Sequence, residues 1–166
     1  MKYWLAFIGS SPFAVINTIW AACREESYVP EHVKFLTNRE LKEEWKDTIG
    51  NWVPTLLEKY GVIDPLYSTE NIVETDFQMI HNKYRSLLSE IGENDEVAVD
   101  ITPGRKYMSA ISMEVGLEMG VDHVYYMHLS DNRYQNSPYP LIPKHRHALI
   151  DMKKEFYDNT SVGEDE

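Results

Sequence analysis

The chemistry of this sequence concentrates in one stretch, residues 97–109, Val-Ala-Val-Asp-Ile-Thr-Pro-Gly-Arg-Lys-Tyr-Met-Ser. A short apolar run ends at Asp100, a Thr102-Pro103-Gly104 turn follows, and Arg105 and Lys106 open a helical pattern. A strand that stops at a turn and feeds a helix N-terminus makes an anion site. The first helical N–H groups have no partner inside the helix, and the dipole favours negative charge there. Two cations at that end oppose the dipole by up to roughly 1 kcal/mol, a cost that a bound anion would relieve. A second candidate is Gly9-Ser10-Ser11-Pro12. Pro12 suits the first position of a helix and Ser11 its cap. The hydroxyls of Ser10 and Ser11 could donate to a phosphate or a ribose.

The elements that must position these two loops alternate along the chain. Residues 3–8 form a continuous apolar run, rich in aromatic and β-branched side chains, that predicts a buried parallel strand. A helix over 13–26 carries Ile16, Ile19, Trp20 and Cys23 at helical spacing. A strand is expected over 33–36. Asn38 would cap a long helix over 40–60, which Pro54 kinks or divides, and 63–73 holds a short strand. Asp76 caps a helix over 77–91, followed by a strand over 97–101, a helix over 105–119 and a strand over 123–129. A short helix over 148–156 and an acidic tail complete the pattern. Such alternation predicts an α/β fold, a Rossmann-like doubly wound and mostly parallel sheet with helices on both faces. It would form one domain over 1–156, with 157–166 as the tail. In this architecture ligands bind at the carboxyl ends of strands where the strand order reverses. With the first strand beside the fourth, the Gly9–Pro12 and Thr102–Lys106 loops would flank one crevice.

Composition narrows the function. A chain of 166 residues with 43% hydrophobic and 12% aromatic content is globular. A formal net charge of −11 argues against general DNA or RNA binding by a basic face, so any positive potential must be local. One cysteine, Cys23, excludes an internal disulfide and a multi-cysteine zinc site, and on its helix face it reads as a small buried hydrophobe. No apolar run approaches the ~18 residues of a membrane span, which predicts a cytoplasmic protein without a membrane partner. No G-x-G-x-x-G follows the first strand, and Gly104-Arg105-Lys106 lacks the spacing of a P-loop. His145 and His147 lack a third ligand for zinc. His81, His123 and His128 fall within helix or strand patterns and read as structural. Neither a metal nor a cofactor is expected.

The residues also resemble a known family. The turn from Asp100 through Ser109 is similar to the ligand loop of CARF domains, the CRISPR-associated Rossmann-fold sensors of cyclic oligoadenylates. In that family a strand ends in an acidic residue and a Thr-containing, Gly-rich turn, followed by Lys and a small-residue helix. Gly9-Ser10-Ser11-Pro12 resembles the first ligand loop, and residues 122–127 resemble the strand that follows the motif. The likeness covers most of the chain. Pro103 departs from it, standing where many members have a second glycine, and so removes a backbone N–H donor.

The resemblance implies a homodimer whose two crevices face each other and bind one cyclic oligoadenylate, usually cyclic tetra-adenylate and next cyclic hexa-adenylate, in antiviral defence. A chain that is CARF and little else resembles the stand-alone ring nucleases. In these a ribose 2′-OH attacks the neighbouring phosphate without a metal and leaves a 2′,3′-cyclic phosphate. Lys106 would then stabilise charge and Ser11 position the groups, with Ser10 and Thr102 as second candidates and Arg105 gripping another phosphate. Gly9, Ser10, Ser11, Asn38, Thr102, Pro103, Gly104, Arg105 and Lys106 form the expected ligand-binding set. The alternative is a non-catalytic sensor domain of a larger or truncated CRISPR effector. An unrelated Rossmann-like nucleotide protein is the third reading.

Overall fold

Trp4, Ala6 and Ile8 belong to one hydrophobic cluster and Leu5 and Phe7 to another, and all five are buried. A strand buried on both faces belongs in the middle of a sheet covered by helices on both sides. The computed structural model, which describes residues 1–38 and 40–158, places it there. The strands are β1 (Lys2–Ile8), β2 (His32–Asn38), β3 (Leu66–Ile72), β4 (Glu96–Asp100), β5 (His123–Leu129) and β6 (His147–Asp151). The helices are α1 (Pro12–Glu25), α2 (Glu43–Lys59), α3 (Phe77–Ser89) and α4 (Lys106–Glu118). The sheet order is β3-β2-β1-β4-β5-β6. The first five strands run parallel, and β6 returns antiparallel on the β5 edge. The fold is therefore the expected Rossmann-like α/β arrangement, with β1 beside β4.

Helices α1 and α2 cover the Trp4 face through Ile16, Ile19, Ile49 and Val53. Helices α3 and α4 cover the Leu5 face through Ile80, Tyr84, Met108 and Val115. Trp4 stacks on Tyr125 of β5 with ring centroids 5.6 Å apart, which ties β5 to the same core. Burying each such large side chain contributes about 1.5–3 kcal/mol. Among the described residues no helix is long and apolar enough to cross a membrane.

Four expectations change. The short helix expected over 148–156 is only half there: residues 148–151 lie in β6, paired with β5, and helical backbone begins at residue 152 and continues as a π-helical turn, Lys154–Asp158. A short apolar run fits a strand or a helix equally, and the open edge of β5 supplies ladder partners that decide for the strand. The helix expected from residue 40 begins at Glu43, and its cap position is Lys42, not Asn38. The Asn38 side chain instead accepts a hydrogen bond from the Glu40 N–H, and its carbonyl accepts one from the Leu41 N–H, closing a turn that delays the helix. Of the kink or division expected at Pro54, the division is overturned: α2 runs through Pro54 as one element, anchored by buried Ile49, Val53, Leu56 and Leu57. Ser11 holds the cap position of α1 but makes no capping bond with its side chain. The tail expected over 157–166 lies, from residue 159 on, outside the described residues.

Away from the loops just described, His123 joins three strands. Its Nδ1 lies 2.7 Å from Asp151 Oδ2 on β6 and its Nε2 3.1 Å from Glu96 Oε1 on β4. Burial pushes the imidazole pKa down, but the bonds to the two carboxylates outweigh it and hold the pKa above its usual value. An unfolded histidine titrates near ~6.5. The stabilisation is therefore complete below that pH and is lost as pH rises through the higher folded value. The wild-type chain should melt above His123→Gln at about pH 5.5, and the gap should narrow by about pH 8. A gap that stays constant across this range would deny the imidazolium its part.

Candidate functional site

All five leading strands point their carboxyl ends at one edge, so the loops after β1, β2, β3 and β4 emerge together there. At the centre of that edge the β1 and β4 loops touch. A Cβ built on Gly9 would lie 2.6 Å from the Gly104 nitrogen and 2.9 Å from its Cα, closer than real atoms approach. Gly104 adopts φ +94°, a region that favours glycine, and a Cβ there would lie 2.9 Å from Met108 Sδ. The two loops thus meet backbone to backbone, and only glycine permits the meeting.

Beneath this contact the β4 loop is tied down. Asp100 is buried at 1% exposure, and its Oδ1 accepts the Thr102 N–H at 2.8 Å. Its Oδ2 has no hydrogen-bond partner among the described residues. Burial pushes its pKa up to about 7 against the opposing hydrogen bonds. The Thr102 hydroxyl accepts the Met127 N–H at 2.8 Å, and the Ser109 hydroxyl donates to the Ile101 carbonyl at 2.7 Å. Pro103 is buried.

Above it lies a crevice of about 430 Å³. It brings together Gly9, Ser10, Asn38, Gly104 and Arg105 from the expected set. Ser11, Thr102, Pro103 and Lys106 are not in its lining. Ser11 Oγ donates to the Gln135 carbonyl at 3.5 Å, and Thr102 and Pro103 serve the loop as described. Lys106 is exposed at the start of α4 and forms no ion pair among the described residues. Arg105 is held differently from expectation. Its Nε lies 3.0 Å from Glu74 Oε2, so a carboxylate of the protein already answers its charge. The inference that both cations require a bound anion therefore holds no force for Arg105.

The crevice also contains residues that sequence reasoning missed. Glu40, Lys42 and Trp45 come from the turn after β2 and the start of α2, and Glu74 comes from just beyond β3. The available signal was topological: parallel strands put the ends of β2 and β3 on the same edge as the two glycine loops. The lining is mixed, with Arg105 and Lys42 against Glu40 and Glu74. It can hold an anion through backbone N–H groups and cations, and it can accept hydrogen bonds from a ligand's amino groups.

No protein-family model matches the sequence, and no curated protein matches it. Solved structures do. Enterococcus italicus Csm6 bound to cyclic hexa-2′-fluoro-hexa-dAMP superposes with TM-score 0.62 at 15% identity, over 90% of this chain and 42% of that one. The fold is shared. A type III CRISPR defence DNA nuclease activated by cyclic oligoadenylate superposes with TM-score 0.56 at 19% identity, over 93% of this chain and 22% of that one. The chain thus spans less than half the length of either protein.

The glycine contact gives a direct test. Gly9→Ala should force the β1 and β4 loops apart and lower stability by about 1–3 kcal/mol, the usual range for overpacking. A denaturant midpoint equal to wild type would mean that the loops separate at no cost.

Proposed function

We propose that the chain binds cyclic oligoadenylate, most readily cyclic tetra-adenylate, in type III CRISPR antiviral signalling in the cytoplasm. Two copies related by a two-fold axis would share one ring, each presenting its crevice. The observation that carries this reading is the backbone contact of Gly9 with Gly104 at the junction of β1 and β4, the switch point of the sheet. It leaves loop backbone and the start of α4 open to phosphate. The fold likeness to two proteins of cyclic oligoadenylate signalling supports the ligand class.

The proposed reaction is intramolecular. The ribose 2′-oxygen attacks the adjacent phosphorus, the bond to the 5′-oxygen breaks, and the 2′-proton ends on that 5′-oxygen. The product carries a 2′,3′-cyclic phosphate and no water is consumed. Lys106, exposed and without an ion pair among the described residues, would stabilise the negative charge on the phosphorane, and Ser11 would orient the attacking ribose, with Ser10 and Thr102 as second candidates. Arg105 would hold a further phosphate in competition with its ion pair to Glu74. One observation favours the alternative, a non-catalytic sensor domain: Lys106 and Ser11 lie outside the crevice lining.

Incubation with cyclic tetra-adenylate in EDTA, followed by chromatography, separates the readings. Linear di-adenylate ending in a 2′,3′-cyclic phosphate supports the ring nuclease. Tight binding of an intact ring leaves the sensor, and no binding removes both. Lys106→Ala should lower the single-turnover cleavage rate roughly 100- to 1,000-fold, by analogy with removal of one charge-stabilising donor. Its effect on the dissociation constant should be smaller, and equal losses would deny Lys106 a transition-state role.

A further inference from the structure

Of the four tryptophans, three are paired with other rings. Trp4 meets Tyr28 and Tyr125, Trp20 meets Trp52 and Tyr139, and Trp52 meets Phe13. Trp45 has no ring partner among the described residues and belongs to none of the hydrophobic clusters. The Lys42 ammonium lies over its ring, 5.0 Å from the centroid. It lines the crevice and stays partly exposed at the first turn of α2. A large indole outside the core clusters and only partly buried, on the wall of a cavity, has surface to give to a ligand.

The neighbouring groups are polar in a complementary way. Asn38 Oδ1 is engaged by the Glu40 N–H at 3.1 Å, which leaves its amide NH2 as a donor. The Glu40 carboxylate, also in the lining, is an acceptor. Donor, acceptor and aromatic face lie in one cavity with the glycine loops, where a phosphate would sit.

From this arrangement we infer that Trp45 is the platform on which a nucleobase of the ligand stacks. Asn38 and Glu40 read the base edge, and Lys42 moves from the ring to a ligand phosphate. The inference rests on the reading that the crevice holds a nucleotide, but it does not require the nucleotide to be cyclic. A base with an exocyclic amino donor beside a ring-nitrogen acceptor, as in adenine, matches the acceptor and donor supplied. Stacking on an aromatic side chain is sequence-tolerant and substantial, so its removal is measurable with a single nucleotide.

The test compares adenosine 5′-monophosphate with ribose 5-phosphate, which lacks the base, by calorimetric titration of the full chain. Wild type should prefer the nucleotide roughly 5- to 150-fold. Trp45→Ala should bring that preference to within a few-fold while binding ribose 5-phosphate as wild type does, which also shows that the variant is folded. Trp45→Phe should retain most of the preference. Wild type without preference for the nucleotide, or Trp45→Ala with the preference intact, overturns the inference. Cyclic tetra-adenylate titrated in parallel separates the two proposals. If it fails to bind while the Trp45-dependent preference persists, the cyclic ligand is wrong and the platform stands.

Discussion

The contact between Gly9 and Gly104 is the constraint on which the rest of the site depends. It exists because β1 and β4 are hydrogen-bonded neighbours, in register from Lys2 with Glu96 to Ala6 with Asp100. Two strands that close leave little room for the loops that follow them, and a side chain on either glycine would fill it. Removing both side chains lets the loops touch and turns their backbone outward. The same closeness explains why Asp100 is buried: it ends β4 directly below the loop, where its Oδ1 can hold the Thr102 N–H. A carboxylate kept from water in this way favours its protonated form, so the loop is anchored by a group whose charge is costly to keep.

How much of this was legible follows from where each signal lies. The alternation of apolar runs and helical faces specified the sheet, because β1 has no polar side and must be central. That the two glycine loops would flank one crevice followed from topology alone, but their backbone contact did not. The termini of elements were less legible. Asn38 could cap a helix or close a turn, and only the position of Glu40 and Leu41 against it decides. The run at 148–151 has no intrinsic preference strong enough to outweigh the free edge of β5, and nothing local in the sequence announces that edge.

The site itself was half visible. Residues contiguous with the two glycine loops could be named, because their chemistry is local in sequence. Glu74 could not, since its pairing with Arg105 spans 31 positions and depends on β3 lying two strands away from β1. Trp45 was hidden for a different reason. It lies on the apolar side of an amphipathic helix, where tryptophan ordinarily packs into the core. The delayed start of α2 places it in the first helical turn, beside the cavity rather than beneath the helix.

The mixed charge of the crevice bears on what can occupy it. A small inorganic anion would gain from Arg105 and Lys42 but would also face the carboxylates of Glu40 and Glu74, which screen much of that attraction. Arg105 already has Glu74, so a second anion competes with an existing ion pair. A ligand that carries phosphate at one end and amino donors at the other answers both signs at once. It can use the glycine loops for its charge, with Lys106, which has no ion pair among the described residues, just outside the lining, and the carboxylates for its donors. In a chain of net charge −11 such a ligand would meet less repulsion than a bare anion. The acidity that argues against a general basic face thereby also disfavours a ligand whose only asset is negative charge.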